Sequence, residues 1–353
     1  MQHAIDVFII SDKPGKPRVE SQHQSPAVLE FIPTGIGAPA EFPGTEWASR
    51  LIDGDSEFAA LVIGQHRDES IAQAVLPMLL TLKANNHAAE VMVERVDSAR
   101  FPLDLTCAFT TGHGINILLA PRSGWGTVVF RRSKLKQLGP LKSLADPVWD
   151  WLIRAARSGE RISAIPIHPE LASGKCRLPH LVSTRPDNDS NWLRRHLKDY
   201  SAQELGLKPG SSVGQTALRA GLNLWHDFDD ECHQLAQSIE GQGADQLGDY
   251  WHAILHRREP DYSNAKYWFR QIGQQQIFRE LAAFADSTLG ESTDARATTW
   301  RSRIRSASHW DPFAFVDLCE ECGKDETTDL ALAVRRIQFC EMSLLMRMTV
   351  ENA

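Results

Sequence analysis

The sequence contains no apolar run that approaches the ~20 residues a membrane-spanning helix needs. The first apolar segment, Val7–Ile10, is short and follows no basic stretch, so we expect a strand there and not a signal peptide. No membrane span is therefore expected in this chain.

Cysteine is scarce, and positive charge is not in excess. Six cysteines spread over 353 residues do not resemble a disulfide framework, which favours a reducing compartment, the cytoplasm. The formal net charge of -7 argues against non-specific binding to nucleic acid. A small-molecule ligand is the partner class that composition leaves open, and the oligomeric state is not predicted.

Short apolar runs alternate with helical spacing in the first half of the chain. Strands are expected at 5–10, 27–33 and 58–64, and a helix is expected near Asp146, followed by another strand. This alternation predicts an α/β domain with Rossmann-like layers over residues 1–182. A segment rich in Asp, Asn, Ser and Pro follows, and we interpret 183–212 as a linker.

The remainder, residues 213–353, has the apolar spacing of an all-α helical domain. Asp311 before Pro312 predicts a helix start, Gly273 predicts a helix end, and the lone pair Cys319 and Cys322 is expected in the core. Helices are predicted at 213–240, 248–258, 262–272, 275–289, 312–322 and 328–348.

One stretch of the first half has a recognisable order of features. In "SGWGTVVFRRSKLKQLGPLKSLADPVWDWLIRAARSGERISAIP" (123–166), a Gly-containing turn leads into a strand ending in two arginines. A Leu-Gly pair and then an acidic residue before a helix follow. Together with "DSEFAALVIGQHRDESIAQAVLPMLLTLKAN" (55–85), this resembles family 2 glycosyltransferases, over roughly residues 4–175. The resemblance implies a GT-A-like fold and a nucleotide-sugar donor.

The same resemblance implies roles for particular residues. Asp146 would be the base that deprotonates the acceptor in an inverting sugar transfer, with Asp150 next to it on the helix. The alternative for Asp146 is a helix cap before Pro147. Where the family carries a metal-binding Asp-x-Asp, this chain reads "GQHRDE" (64–69). The positions implied at the donor diphosphate are Arg67, Asp68, Glu69, Arg131 and Arg132.

Histidines and carboxylates recur at helical spacing in the second half. On the helix predicted at 213–240, one stripe carries His226, Asp230 and His233. On the next helix, His252 and His256 are four residues apart. Imidazoles facing each other across two helices, with carboxylates nearby, are typical of zinc or iron sites in helix bundles, so a divalent metal is a candidate cofactor.

Two further interpretations of this face stay open. The helix pair could bury a hydrogen-bonded polar network without a ligand. Alternatively, it could line a small-molecule pocket, and the further residues predicted to line that pocket are Glu259, Asn264, Lys266 and Tyr267. The segment "WHAILHRREPDYSNAKYWFRQIG" (251–273) also resembles an uncharacterised helical family, over roughly 213–348. That resemblance implies a domain type and no activity.

Three functions follow as hypotheses. The first is transfer of a sugar from a nucleotide-sugar donor with inversion, as the family resemblance implies. The second is a non-catalytic GT-A-like protein whose functional surface is the His-rich face of the helical domain, binding a small ligand or a metal. The third makes that face the centre of a metal-dependent enzyme.

Overall fold

The computed structural model describes residues 5–10, 27–29, 51–63, 75, 78–85, 88–94, 119, 125–140, 147–160, 162–167, 178–184, 191–205, 207, 210–243, 245–305 and 310–353. The chain divides into two compact units. The sheet unit comprises Met1–Val96, Asp104–Arg177 and Glu204–Gly206. The helical unit comprises Asp97–Leu103, Leu178–Gln203 and Leu207–Ala353.

A six-stranded sheet organises the sheet unit. Its strands, in chain order, are β1 Ile5–Ile10, β2 Ala27–Leu29, β3 Phe58–Ile63, β4 Ala89–Glu94, β5 Trp125–Arg131 and β6 Ile162–Ile167. Their spatial order is β2-β1-β3-β5-β4-β6. Helices α1 Arg132–Leu138 and α2 Pro147–Arg157 accompany it, and the described residues 51–53 and 78–84 are also helical. The edge of the Trp151 ring meets Phe130 at 5.7 Å between centroids and anchors α2 in the core.

The predicted fold class, with its GT-A-like, Rossmann-like α/β layers, is wrong for the residues that the structure describes. These residues are mostly helical, and their sheet is mixed, because β5 runs antiparallel to both of its neighbours, β3 and β4. A Rossmann-like sheet is instead built from parallel strands with a helix crossover between them. Apolar runs located the strands, but their pairing directions depend on long-range contacts that periodicity does not contain.

The described part of the helical unit is built mainly from α-helices. The helices are α3 Asn191–Asp199, α4 Ser212–Trp225, α5 Asp229–Ser238, α6 Leu247–Arg258, α7 Tyr262–Ile272, α8 Phe278–Glu291, α9 Ala295–Arg305, α10 Pro312–Cys322 and α11 Asp329–Asn352. Helix α3 lies inside the segment 183–212 that the sequence suggests as a linker, and it belongs to the helical unit. Among the described residues, no helix has the length and apolarity to cross a membrane.

The helix predicted at 213–240 is in fact two helices. Helix α4 ends at Trp225, and α5 begins at Asp229. Between them Asp227 has a left-handed backbone (φ 62°), a conformation that Asp tolerates better than most residues. The single-helix prediction is wrong because the apolar positions on either side of the break happen to continue the same periodicity.

Helix α6 is the central element of the helical unit. Every residue from Leu247 to Arg258 is buried, and the helix packs against α4, α5 and α7. A helix buried on all sides is expected to be apolar all round. Helix α6 is not apolar all round, because several of its buried side chains are polar or charged.

Candidate metal centre

Five buried side chains on α6 are polar or charged, and burial of such groups is costly unless they are paired. Asp249 accepts a hydrogen bond from the Gly241 amide at 3.0 Å. Arg257 pairs with buried Glu341, and Arg258 pairs with Asp227. His256 contacts Asn264, with 3.1 Å between Nε2 and the amide nitrogen. The fifth side chain is His252.

Neither ring nitrogen of His252 has a hydrogen-bond partner among the described residues, although the residue is only 1% exposed. The ring stacks on Trp268 at 4.1 Å between centroids and on His256 at 4.6 Å. Burial, followed by the neighbouring His256 and His233, lowers the pKa of His252 to about 3. The imidazole is therefore neutral at neutral pH, with an unshared electron pair in the ring plane.

Three histidines converge at this point. One ligand atom from each of His233, His252 and His256 can be chosen so that all three lie within 4.8 Å of one another. Burial and His233 also lower the pKa of His256, so it too is held neutral. Tetrahedral zinc with ~2.05 Å bonds needs ligand nitrogens about 3.3 Å apart, so modest rotation of the rings brings these atoms to binding distance.

The break between α4 and α5 brings His233 to the cluster. The Arg258 guanidinium, buried at the end of α6, donates to the Leu224 carbonyl at 3.0 Å and to the Asp227 carboxylate at 2.6 Å. The Thr184 hydroxyl donates to the other Asp227 oxygen, and Ser183 donates to Asp229 at the start of α5. These bonds hold the redirected α5 so that its His233 ring meets His252 edge-on at 4.7 Å.

Carboxylates lie near His256, at one side of the cluster. Burial raises the pKa of Glu259, and the nearby Asp229, Asp230 and Asp261 raise it further. Glu259 Oε2 lies 3.3 Å from Nδ1 of His256. Neutral imidazoles with carboxylates nearby favour a cation over an anion.

Two residues predicted as metal ligands are not part of the three-histidine group. His226 caps the end of α4, and its backbone N–H donates to the Asn223 carbonyl. Asp230 lies exposed in the first turn of α5. The break in the chain removes His226 from the stripe that a continuous helix would have formed with His233.

The four residues predicted to line a small-molecule pocket do not converge. Lys266 forms an ion pair with Asp317 on α10, and Tyr267 is 47% exposed with its ring edge against Trp268. Asn264 and Glu259 both contact His256. They therefore belong to the three-histidine centre.

The residues named by the glycosyltransferase resemblance divide into two sets. Asp146, Arg67, Asp68 and Glu69 lie outside the described residues. Asp150 is fully buried, and both of its oxygens accept bonds from Arg154, at 3.1 and 2.8 Å.

Arg131 and Arg132, the two arginines of the same prediction, bond to nearby protein groups. Arg131 pairs with Glu57 at 2.9 Å and donates to the Leu82 carbonyl. Arg132 donates to the carbonyls of Leu51 and Ser56. These bonds fasten the end of β5 and the start of α1 within the sheet unit.

Sequence reasoning missed Asp227 and Arg258 as the residues that orient the centre. No local pattern marks either one, since Arg258 acts on a carbonyl 34 positions earlier in the chain. The run "HDFDD" (226–230), with short polar residues that favour helix starts and turns, is the one signal that could have indicated a break.

Comparison with known proteins adds no relative to this picture. No family model, no curated protein and no solved structure matches this chain. Both family resemblances of the sequence therefore stay predictions, and function is argued from the residues alone.

Proposed function

We propose that the helical unit binds a divalent first-row transition metal, zinc above all, through His233, His252 and His256. The observation that carries this proposal is His252, whose two ring nitrogens are buried without a partner beside two other histidines. A satisfied polar network, the alternative considered from the sequence, would have given these nitrogens a donor or an acceptor. A metal ion would supply a partner for one of the two nitrogens.

The chemistry of the donors narrows the choice of metal. Imidazole nitrogens suit zinc, copper, nickel and iron, whereas magnesium and calcium require oxygen ligands. Three protein ligands leave a fourth tetrahedral position for water or a substrate atom, which is the composition of catalytic zinc sites. A metal there would acidify its bound water and make hydrolytic chemistry accessible.

Zinc titration of the chelator-treated protein tests the proposal directly. We expect about one zinc ion per chain and a rise in melting temperature on loading. Magnesium should cause no such rise. His252→Ala should weaken zinc binding by more than about 100-fold, since even the outer partners of metal ligands are worth about 10- to 100-fold.

The control is His180→Ala, because that side chain is 54% exposed and pairs with Glu326 outside the cluster. It should bind zinc like the wild type. A wild-type protein that binds no zinc at micromolar concentration would overturn the proposal, as would His252→Ala binding with unchanged affinity.

Sugar transfer remains a prediction from the family resemblance. A rise in melting temperature with uridine or guanosine diphosphate would support it independently of the metal centre. The cytoplasm remains the proposed compartment, in keeping with the free thiols of the four cysteines that the structure describes, Cys232, Cys319, Cys322 and Cys340. All four are buried, including the Cys319 and Cys322 pair expected in the core.

A further inference from the structure

The hydrogen bonding of His256 identifies which of its nitrogens is available to a metal. The Asn264 amide nitrogen lies 3.1 Å from Nε2, and an amide NH₂ group can only donate. Nε2 therefore accepts, and in a neutral imidazole the proton must then be on Nδ1. The electron pair that would bind a metal is on Nε2, where Asn264 already engages it.

The opposite side of the ring is consistent with this tautomer. Nδ1 lies 3.3 Å from Glu259 Oε2, a contact at ion-pair distance that is not aligned as a hydrogen bond. A carboxylate near a protonated imidazole nitrogen favours that proton position and makes the other nitrogen a better ligand. Glu259 thus faces the side of His256 that points away from the prospective metal.

The short connection between α6 and α7 places both residues against one ring. Helix α6 ends at Arg258, and α7 begins at Tyr262. Asp261 lies just before α7, and its carboxylate accepts a hydrogen bond from the backbone N–H of Asn264 at 3.2 Å. This cap fixes the first turn of α7, from which the Asn264 side chain reaches His256. Glu259 caps α6, three residues after His256.

Resting on the metal site proposed above, we propose that Asn264 and Glu259 set its affinity from opposite sides of His256. Asn264 is an internal competitor, which occupies the Nε2 electron pair in the metal-free protein and must be displaced by the metal. Glu259 is a positioning residue, which holds the proton on Nδ1 and orients the ring. Among the described residues, the metal-free centre thus has a hydrogen-bond partner at Nε2 of His256 and none at either ring nitrogen of His252.

Zinc affinities of two variants test this arrangement, measured by competition with a chromophoric chelator. Asn264→Ala removes a competing hydrogen bond of about 1 kcal/mol, so we expect about fivefold tighter binding. Glu259→Gln should weaken binding by about 10- to 100-fold. The controls are Ser263→Ala, an exposed neighbour on α7 that bonds Asp261, and Glu291→Gln, which removes one negative charge on α8.

A second measurement separates positioning from a general loss of structure. Nitrogen-15 spectra of the metal-free wild type should show the Nδ1–H tautomer at His256, and Glu259→Gln should reduce its population. Unchanged or weaker binding in Asn264→Ala would overturn the competitor role, and unchanged binding in Glu259→Gln would overturn the positioning role. If the wild type binds zinc through His252 while both variants match it, this inference fails and the metal site stands. If the wild type binds no zinc, the metal site itself fails.

Discussion

At the scale of the residue, His252 combines deep burial with two ring nitrogens that no group in the described part of the chain satisfies. Leaving a buried polar group without a partner costs about 1–3 kcal/mol. Stacking on Trp268 recovers part of this, because the ring faces are in contact while the ring edge is not paired. The unpaired nitrogens of His252 should therefore lower the free energy of unfolding of the metal-free protein.

Acid should weaken the metal-free protein through His252. The pKa of the folded-state imidazole is lowered to about 3 from an ordinary value of 6.5, so between these values the unfolded chain binds a proton that the folded chain does not. Stability contributed by the neutral ring is complete above pH 6.5 and is lost as the pH falls. His252→Phe keeps an aromatic ring against Trp268 and removes this titration.

We expect the free energy of unfolding of the wild type to fall relative to His252→Phe by roughly 2 kcal/mol between pH 6.5 and 5, at up to about 1.4 kcal/mol per pH unit. Urea unfolding of both proteins with chelator present provides the measurement. Taking the difference removes the carboxyl groups with raised pKa, such as Glu259, whose effect on stability has the opposite sign. Parallel pH profiles for the two proteins would contradict the assignment.

At the scale of the element, local rules located some helices well and others poorly. Helices α7 and α10 occupy the predicted ranges, since their first turns are capped by Asp261 and Asp311. Gly273 ends α7 as expected, with a left-handed backbone. No helix was expected at α9, Ala295–Arg305, where buried positions are few and basic residues dominate.

The candidate site, like the helices, was predictable from the sequence only in part. His252 and His256 are four apart on one helix, and that spacing alone places them together. His233 was expected opposite them, and it is found there. The exclusion of His226 depends on the break at Asp227, which a buried arginine on another helix holds in place. Periodicity carries no information on such a long-range contact.

Arg258 should accordingly control both the stability of the helical unit and the metal affinity of the centre. Arg258→Met fills similar volume but removes the guanidinium bonds to the Leu224 carbonyl and to the partly exposed Asp227 carboxylate. We expect a loss of about 3 kcal/mol in unfolding free energy and weaker zinc binding, because α5 loses its orientation. Arg270→Met, at an exposed position on α7, is the matched control. Wild-type stability and zinc affinity in Arg258→Met would show that the break is held by other contacts.

At the scale of the whole molecule, the glycosyltransferase prediction concerns the sheet unit, and the prediction of a metal site concerns the helical unit. The residues of the proposed centre all come from the helical unit. That unit is held together by buried charge as well as by apolar packing. Arg257 and Glu341 are both fully buried, 2.5 Å apart, and the Tyr250 hydroxyl donates to the same carboxylate. The indole of Trp251 donates to Thr349, so α6 and α11 are joined at two places.

Replacing one member of the Arg257–Glu341 pair should lower the free energy of unfolding far more than replacing both members. Glu341→Gln leaves the Arg257 guanidinium buried beside Phe315 without its counter-charge, and we expect a loss of about 3–5 kcal/mol. The double variant Arg257→Met with Glu341→Met should be more stable than Glu341→Gln alone. Thermal unfolding of the three proteins at neutral pH distinguishes these cases. A double variant less stable than the single one would show that the charged pair contributes net stability.

The burial of α6 on every face also governs how quickly the centre could exchange its ion. His252 and His256 are 1% and 5% exposed, and the half-buried His233 is the member of the cluster nearest to solvent. An incoming ion would therefore meet His233 first and reach the other two nitrogens only after a local opening of the structure. Its dwell time would be set by the frequency of that opening, so slow release would not by itself indicate strong binding.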